Sequence, residues 1–533
     1  MAKLSGSVVG TVLDAGRVVL MAGVVTAWCG SAWAGSGGAP GGEGGAETAG
    51  VVETRADAAA EGRAIAERAI EYFRETQGES GGWSAPEGEG RPHLPAITAL
   101  VLTGMLLDPA VDHTDPAVER GVAYLLSHQQ SDGGIYDRIL PAYNTALSVS
   151  ALSQVETDEA REAVRKAVPF LRSLQWHEGA ASLPSTGRVG REHPFYGGVG
   201  YGGSSRPDNS NLNLWLQAMH DAGVPGDDPA FQRALVFLAR TQMLDSVNDM
   251  PYAEGSQQGG FIYATSPSAE EMGVGESKAG TMVETLSDGT TASRLRSYGS
   301  MTYAGFKSLI YADLDRDDER LRAAWRWIGE NYTLEENPGI GTDGYYYFLI
   351  TFGRALSAWG AEAVETRGDA IPLRLWVPME PWPLPAGGWI DYVNRGETED
   401  GEVIEFDEPI ATLSAYHSTD GSSYRRTEGR LASGERWALA GTEISLGDRV
   451  GGRVAFRDEA GNEYVEGSAA IVLIENRDWR RDLIGKLAEM QEGGGAFRPV
   501  DDRWMEDNPV LITAYSLIGL QHARASLAGS AGG

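Results

Sequence analysis

Acidic and aromatic side chains recur at the start of six apolar segments. Side chains of these types can catalyse reactions or bind ligands. Asp208 and Asp343 each precede such a segment, and glycoside hydrolysis uses a pair of carboxylates for proton transfer and attack. Tyrosine rings offer an apolar face to a hydrocarbon, a π face to a cationic intermediate, or a platform for a sugar. The other residues predicted to meet at one cavity are His93, Tyr143, Asn144, Asn211, Tyr298, Tyr303, Tyr345, Tyr346, Tyr347 and Asp507.

A repeated pattern lies upstream of these segments and indicates how they are positioned. Its fullest copy is Phe73, Gln77, Gly81 and Trp83. The other copies, whole or partial, are Leu125, Gln129, Gly133 and Ile135; Leu171 and Gln175; Leu238 and Gln242; Trp327 and Asn331; and Leu487, Gln491, Gly495 and Phe497. Because such repeats usually mark one supersecondary unit per copy, the chain is predicted to contain six units.

Each copy ends a one-sided apolar helix and is followed by a turn and a second, more uniformly apolar helix. The second helices are predicted over residues 93–107, 143–152, 211–222, 301–312, 345–359 and 510–523. A helix that is apolar all round is normally buried, whereas a one-sided helix faces solvent. The sequence therefore predicts an all-α fold, an (α/α)6 toroid of six helix pairs with the second helix of each pair inside. Asp115, Thr157, Asp228 and the Asp317-Asp318 pair stand where N-caps of the outer helices are expected.

The helical pattern is interrupted once. Over residues 370–476 the apolar positions alternate, and Gly, Asp and Asn separate short runs, which is typical of strands. We predict a small β-rich domain inserted between pairs five and six, with the first five pairs at 52–369, the sixth at 477–526 and a flexible tail at 527–533.

The N-terminus has the pattern of a secretory signal. Residues 1–34 combine basic residues, an apolar run and a small-x-small end at Ala32 to Ala34, and a Gly-rich linker is predicted over 35–51. We therefore expect a secreted or periplasmic protein without a stable membrane span after cleavage. Cys29, the one cysteine of the chain, lies in this segment, which excludes thiol chemistry from the mature protein.

The net charge of −31 makes nucleic acid an improbable partner, because the surface repels phosphate. The eight histidines form no close ligand pair. The sequence therefore predicts no metal and no cofactor.

Two turns after outer helices are unusually long, at residues 177–207 and 244–295. Loops of this length in a compact domain often act as lids. Arg188, Arg191 and His193 of the first are expected to reach the cavity mouth.

The repeat resembles the one shared by squalene and other triterpene cyclases and by protein prenyltransferases. The resemblance implies an α/α toroid that holds an apolar isoprenoid in its central cavity. For the cyclases, the resemblance also implies a DxDD motif that protonates the isoprenoid, and Asp315-Arg316-Asp317-Asp318 matches this motif in sequence. This string stands between an inner and an outer helix, so we interpret it as an N-cap. The zinc site of the prenyltransferases requires a cysteine that the mature chain lacks.

Three functions stay open at this point. The resemblance favours an exported cyclase-like protein that has neither the DxDD acid nor the zinc site. Such a protein would bind a small apolar isoprenoid-like ligand, either without changing it or as a substrate that it transforms. A carbohydrate-active toroid would bind an oligosaccharide and use Asp208 and Asp343. A non-catalytic binding or scaffold toroid is the third.

Overall fold

The computed structural model describes residues 45–83, 93–179, 189–202, 205–268, 270–286, 289–378 and 463–529, with shorter stretches at 382–383, 389–398, 403–413, 428–430, 436–439, 445–446, 456–457 and 461. The predicted signal segment 1–34, the first part of the predicted linker, Arg188 and the last part of the tail lie outside these residues. The described chain divides into two compact units. One comprises Met1–Glu362 and Asp478–Gly533, and the other comprises Ala363–Arg477.

Within the described residues of the first unit there are twelve α-helices. The odd-numbered helices are α1 (Gly45–Thr76), α3 (Pro116–Ser127), α5 (Asp158–Ser173), α7 (Pro229–Thr241), α9 (Glu319–Glu330) and α11 (Trp479–Met490). The even-numbered helices are α2 (Pro95–Leu106), α4 (Pro141–Leu152), α6 (Asn209–Asp221), α8 (Gly299–Tyr311), α10 (Tyr345–Trp359) and α12 (Pro509–Gly529). The predicted helical class is confirmed. α1 begins at Gly45, inside the predicted linker, where Ala and Glu favour a helix.

The even-numbered helices pack in an uninterrupted circuit. α2 packs against α4, and the contacts continue through α6, α8 and α10 to α12, which returns to α2. We call these six the inner helices, because they are buried on nearly every side; all residues from Tyr345 to Leu356 of α10 are buried. The odd-numbered helices pack outside the circuit and bury one face, as α5 does with Ala160, Ala163, Ala167 and Leu171.

Acidic and hydroxyl side chains begin the outer helices, as the sequence predicts. Asp115 accepts from the backbone N–H of Ala117 at 2.8 Å, and Asp228 accepts from that of Ala230 at 2.8 Å. The remaining predicted caps are Thr157 on α5 and Asp318 on α9. These bonds satisfy N–H groups that have no partner inside the helix.

The repeated glutamines join successive outer helices. Gln77 Nε2 donates to Gly81 O in its own turn at 2.7 Å and to Ala117 O of α3 at 2.8 Å. The equivalent donors reach the next helix at Gln129 to Ala163 O, 3.0 Å; Gln175 to Ala230 O, 2.8 Å; Gln242 to Arg320 O, 2.8 Å; and Gln491 to Ile65 O, 2.9 Å. The last of these bonds ties α11 to α1. Asn331, in the fifth copy, instead donates to Trp327 O of its own helix.

The glycine of the repeat is required by close backbone approach. Gly81 has a φ of +85°, and a Cβ there would lie 2.7 Å from Arg120 O of α3. Gly197 and Gly259, each with φ +82°, make the same approach to Arg233 O and Ala323 O. They therefore complete the third and fourth copies, although long insertions separate them from Gln175 and Gln242. The sequence pattern does not reveal this completion, because the spacing is lost.

The strands of the described residues form two antiparallel sheets. β1 (Thr281–Thr285) and β2 (Thr291–Leu295) make a hairpin in the helical unit. The second unit holds a nine-stranded sheet built around β3 (Val364–Pro378) and β11 (Glu463–Arg477), which pair along most of their length. Its other strands are β4 (Trp382–Pro383), β5 (Trp389–Thr398), β6 (Val403–Leu413), β7 (Glu428–Arg430), β8 (Arg436–Leu439), β9 (Ser445–Leu446) and β10 (Phe456–Arg457). Within the described residues, no helix is long and apolar enough to cross a bilayer.

Candidate functional site

The N-terminal ends of the inner helices are closed by side chains of the protein itself. Asn144 Oδ1 accepts from Ala96 N of the neighbouring α2 at 3.0 Å, and Asn337 Oδ1 accepts from Ser300 N of α8 at 2.9 Å. Glu506 accepts from the backbone N–H groups of Tyr346 and Tyr347 at 3.1 and 2.9 Å. Free N–H groups at a helix start attract anions. Here each of these three groups of donors already has an internal partner, and Asn144, predicted to bind ligand, serves as a cap.

Asp208 is the N-cap of its own helix. Its Oδ1 accepts from Asn211 N at 2.9 Å and from Ser210 Oγ at 2.5 Å, and Asn211 Nδ2 donates to Oδ2 at 2.9 Å. The side chain is buried, and burial raises the pKa of its carboxyl, against the opposing effect of these hydrogen bonds. Asp208 and Asn211, both predicted site residues, are thus bonded to each other.

Three other predicted site residues lie at the surface. Asp343 forms an ion pair with Arg503. Asp507 is exposed, and the N-cap of α12 is its neighbour Asn508, which accepts from Val510 N at 3.0 Å. His93 is also exposed, with its ring against those of Tyr124 and His128. The catalytic assignment of Asp208 and Asp343 stays a prediction.

Tyrosines from different inner helices meet inside the circuit. Tyr347 of α10 and Tyr515 of α12 have ring centroids 6.3 Å apart. Burial raises the pKa of Tyr143 of α4 well above its usual range, and the hydroxyls of Tyr515 and Tyr347 raise it further. Because α4 and α10 stand on opposite sides of the circuit, these side chains approach one another across its interior. Tyr298 joins them, since burial and then Tyr347 raise its pKa. We call Tyr143, Tyr298, Tyr347 and Tyr515 the tyrosine layer.

The long segments before α6 and α8 add two more tyrosines. Burial raises the pKa of Tyr201 and of Tyr263, and the charge of Asp208 adds to both shifts. Lys278 Nζ lies 4.6 Å from the centre of the Tyr263 ring, and the Arg206 guanidinium lies 5.3 Å from it. The segments predicted as lids therefore supply aromatic groups next to the helix starts. Arg191 lines an outer groove of about 490 Å³, and His193 stacks on Trp176, at centroids 5.8 Å apart.

The remaining predicted tyrosines have different surroundings. Consecutive residues of an α-helix point about 100° apart, so Tyr345, Tyr346 and Tyr347 cannot share one face. Tyr345 donates to Leu334 O, and Tyr346 donates to Arg498 O. Tyr303 packs between Phe348 and Phe352 of α10, at centroid distances of 5.7 and 5.1 Å.

A cationic group lies two helical turns beyond the tyrosine layer. Arg354 and His522 follow Tyr347 and Tyr515 by seven residues, which keeps them on the same helix faces. Arg354 is 1% exposed, and its three guanidinium nitrogens have no hydrogen-bond partner among the described residues. Lys307 of α8 is also 1% exposed, and its Nζ donates to Gln217 Oε1 of α6 at 2.5 Å.

Burial governs the protonation of this group. It lowers the pKa of Arg354 to about 9, although Tyr311 and Asp221 act in the opposite direction. It also lowers the pKa of Lys307 and of His522 well below their usual ranges. None of these residues was predicted as a site residue, although a charge inside an otherwise apolar helix is a signal that the sequence contains.

The acidic string at 315–318 lies apart from these groups. Asp315 and Asp317 are exposed, and Asp318 Oδ1 accepts from Arg320 N at 2.9 Å as the cap of α9. In the described part of the chain, no three His, Cys, Asp or Glu side chains gather as metal ligands do.

Comparisons with known proteins point to one family. Residues 90–183, which include α2 to α5, match the squalene-hopene cyclase C-terminal domain. Similar solved structures include the type II terpene cyclase MstE from Scytonema without ligand, at 12% identity and a TM-score of 0.25, covering 51% of this chain and 77% of that one. The same enzyme in complex with geranylgeranyl dihydroxybenzoate matches at 12% identity and a TM-score of 0.23, covering 52% and 80%. No curated protein matches this chain. The resemblance predicted from the repeat is confirmed by the match of residues 90–183 to a squalene-hopene cyclase domain.

Proposed function

We propose that this protein is an exported (α/α)6 toroid that binds an isoprenoid-like ligand between the inner helices. The observation that carries the proposal is the tyrosine layer, in which the rings of Tyr347 and Tyr515 contact each other and both hydroxyls raise the pKa of Tyr143, on α4. Aromatic faces bind hydrocarbon chains through apolar burial and stabilise positive charge through their π electrons. The family match supports the same ligand class. In this proposal the β-rich unit is an insertion between the fifth and sixth helix pairs.

The proposal does not involve proton transfer from the DxDD-like residues 315–318. Their carboxyl groups are exposed or bonded to the start of an outer helix, whereas the tyrosines meet inside the inner circuit. Replacing Asp315, Asp317 and Asp318 together by Asn should therefore leave ligand binding within about twofold of wild type. Asn caps a helix about as well as Asp does, so the triple variant should fold. A folded triple variant that no longer binds or converts an isoprenoid would restore the acid motif to the mechanism.

A non-catalytic binding or scaffold role is the second candidate. It is favoured by the state of the two predicted acids, because Asp208 is held by Asn211 and Ser210, and Asp343 is held by Arg503. A carbohydrate-active function would need these two carboxylates free on either side of a sugar. The carbohydrate-active function predicts that the wild type hydrolyses an oligosaccharide and that Asp208→Asn and Asp343→Asn each lose this activity. That result would favour it over the other two functions.

The proposal is tested by titrating the full-length mature protein with farnesol in a calorimeter. Replacing Tyr347 by Leu should weaken binding about tenfold, because a ring contact with the ligand is lost. Tyr136→Leu is the matched control: this tyrosine stacks on Phe170 of the outer helix α5 at a centroid distance of 5.8 Å and donates to Asp132. Equal affinity in both variants, or no binding by the wild type, would contradict the proposal.

A further inference from the structure

Two cations are buried in the interior of the helical circuit with one compensating carboxylate. Lys307 and Arg354 are each 1% exposed. The side chain of Asp221 of α6 is fully buried, and its charge raises the pKa of both cations. Its Oδ1 accepts from Gln217 Nε2 at 3.0 Å, and Gln217 Oε1 in turn accepts from Lys307. Lys307 and Asp221 are therefore joined through the side-chain amide of Gln217.

The guanidinium of Arg354 is not part of this hydrogen-bonded group. A buried guanidinium ordinarily has hydrogen bonds from several of its five N–H groups, because leaving them unpaired costs the desolvation free energy of each group. Arg480 of the same unit is equally buried and shows the ordinary arrangement, with Asp478 accepting from Nε at 2.8 Å and from a terminal nitrogen at 2.9 Å. All three nitrogens of Arg354 lack such a partner among the described residues.

The surroundings of Arg354 belong to several inner helices. Asp221 is on α6, Tyr311 on α8, and Tyr347 and Tyr515 are on α10 and α12, and each affects the pKa of Arg354. His522 Nε2 is buried and unpartnered, and Arg354 and Lys307 both lower the pKa of its ring. An acceptor placed here would thus meet donors contributed by α8, α10 and α12.

We propose that Arg354 binds an oxyanion, a carboxylate or a phosphate, in the interior of the helical circuit, with Lys307 and His522 as further donors. The planar guanidinium matches such groups with two parallel hydrogen bonds. The tyrosine layer lies about 10 Å away along the helix axes, since seven residues rise by 1.5 Å each. This inference rests on the proposed function: the oxyanion is the head group of the isoprenoid-like ligand, and the hydrocarbon part of that ligand lies among the tyrosines. Its alternative source is a small free anion.

Calorimetric titration of the full-length mature protein distinguishes these sources. The probes are farnesoic acid, farnesol and acetate, of which the first two share one hydrocarbon chain. We expect farnesoic acid to bind at least about tenfold more tightly than farnesol, as hydrogen bonds to a charged group imply. Arg354→Met should remove that preference, so that farnesoic acid and farnesol bind the variant with similar affinity. Arg480→Met, the matched control, should keep the preference.

Each other outcome has a defined meaning. Equal binding of acid and alcohol, unaffected by Arg354→Met, overturns the oxyanion site but leaves the isoprenoid proposal standing. Binding of acetate that depends on Arg354, without any gain from the farnesyl chain, supports the oxyanion site and contradicts the isoprenoid proposal. Absence of binding by all three probes overturns both.

Discussion

The backbone N–H groups at the starts of the inner helices and the buried arginine near the end of α10 differ in their hydrogen bonding. At the N-terminal ends, Asn144, Asn337, Asp208 and Glu506 close the backbone N–H groups with short hydrogen bonds. Toward the C-terminal ends, Arg354 is buried without such a partner. Folding alone selects for satisfied polar groups. The contrast therefore assigns the capped end to the framework and the unsatisfied group to a ligand.

A large difference in stability is expected between variants of two equally buried arginines. Arg480→Met should reduce the free energy of unfolding by about 3 kcal/mol, because Asp478 loses both of its hydrogen bonds from this guanidinium. Arg354→Met should leave it unchanged or raise it by about 1 kcal/mol, because an unpaired buried charge is replaced by an apolar chain. Urea unfolding followed by far-UV circular dichroism measures both. Similar losses in the two variants would mean that Arg354 is part of the framework.

A pH dependence tests the capped end. Burial raises the pKa of Glu506 to about 8, so the folded protein holds this proton more tightly than the unfolded chain does. Stability should therefore fall as the pH rises from about 4.5 to about 8, by up to about 1.4 kcal/mol per pH unit, and should be constant above that window. In Glu506→Gln this contribution should vanish. Thermal unfolding of both proteins across the window provides the measurement, and identical pH profiles would contradict the assignment.

The glutamine contacts define the rest of the framework. Gln491→Leu removes the donor shared by Ile65 O and Gly495 O and should cost about 1 to 3 kcal/mol, as the loss of partners from buried carbonyls does. Asn331→Leu is the control, because Asn331 bonds within its own helix, and its cost should be about 1 kcal/mol or less. Denaturant unfolding would compare them. Equal losses of unfolding free energy in the two variants would show that the hydrogen bond from Gln491 to α1 adds nothing to the stability of the outer helices.

The smallest effect is expected at Asp208. Because Asn and Asp are comparable N-caps, Asp208→Asn should change the free energy of unfolding by less than about 0.5 kcal/mol. Isoprenoid binding should also be preserved. A folded Asp208→Asn protein that has lost an activity of the wild type would make this carboxylate catalytic and would contradict its assignment to the framework.

The sequence predicts the framework better than the interior. The helix pairs and their caps follow from apolar spacing and from residues such as Asp115, which are local signals. Gly197 and Gly259 are missed because insertions break the spacing, although both glycines make the predicted turn. Residues such as Tyr515 and Arg354 are missed because their meeting depends on the curvature of the whole circuit. The sequence also cannot distinguish the consecutive residues Tyr345, Tyr346 and Tyr347, and only the structure shows that Tyr347 belongs to the tyrosine layer.

Native mass spectrometry of the purified protein tests the central claim most directly, because it detects a ligand carried through purification. The account predicts a bound mass that is released on denaturation and identified as an isoprenoid with an acidic head group, and that is lost from Arg354→Met. A wild-type protein that carries no such ligand, and that gains mass with oligosaccharides but not with farnesoic acid, would contradict it.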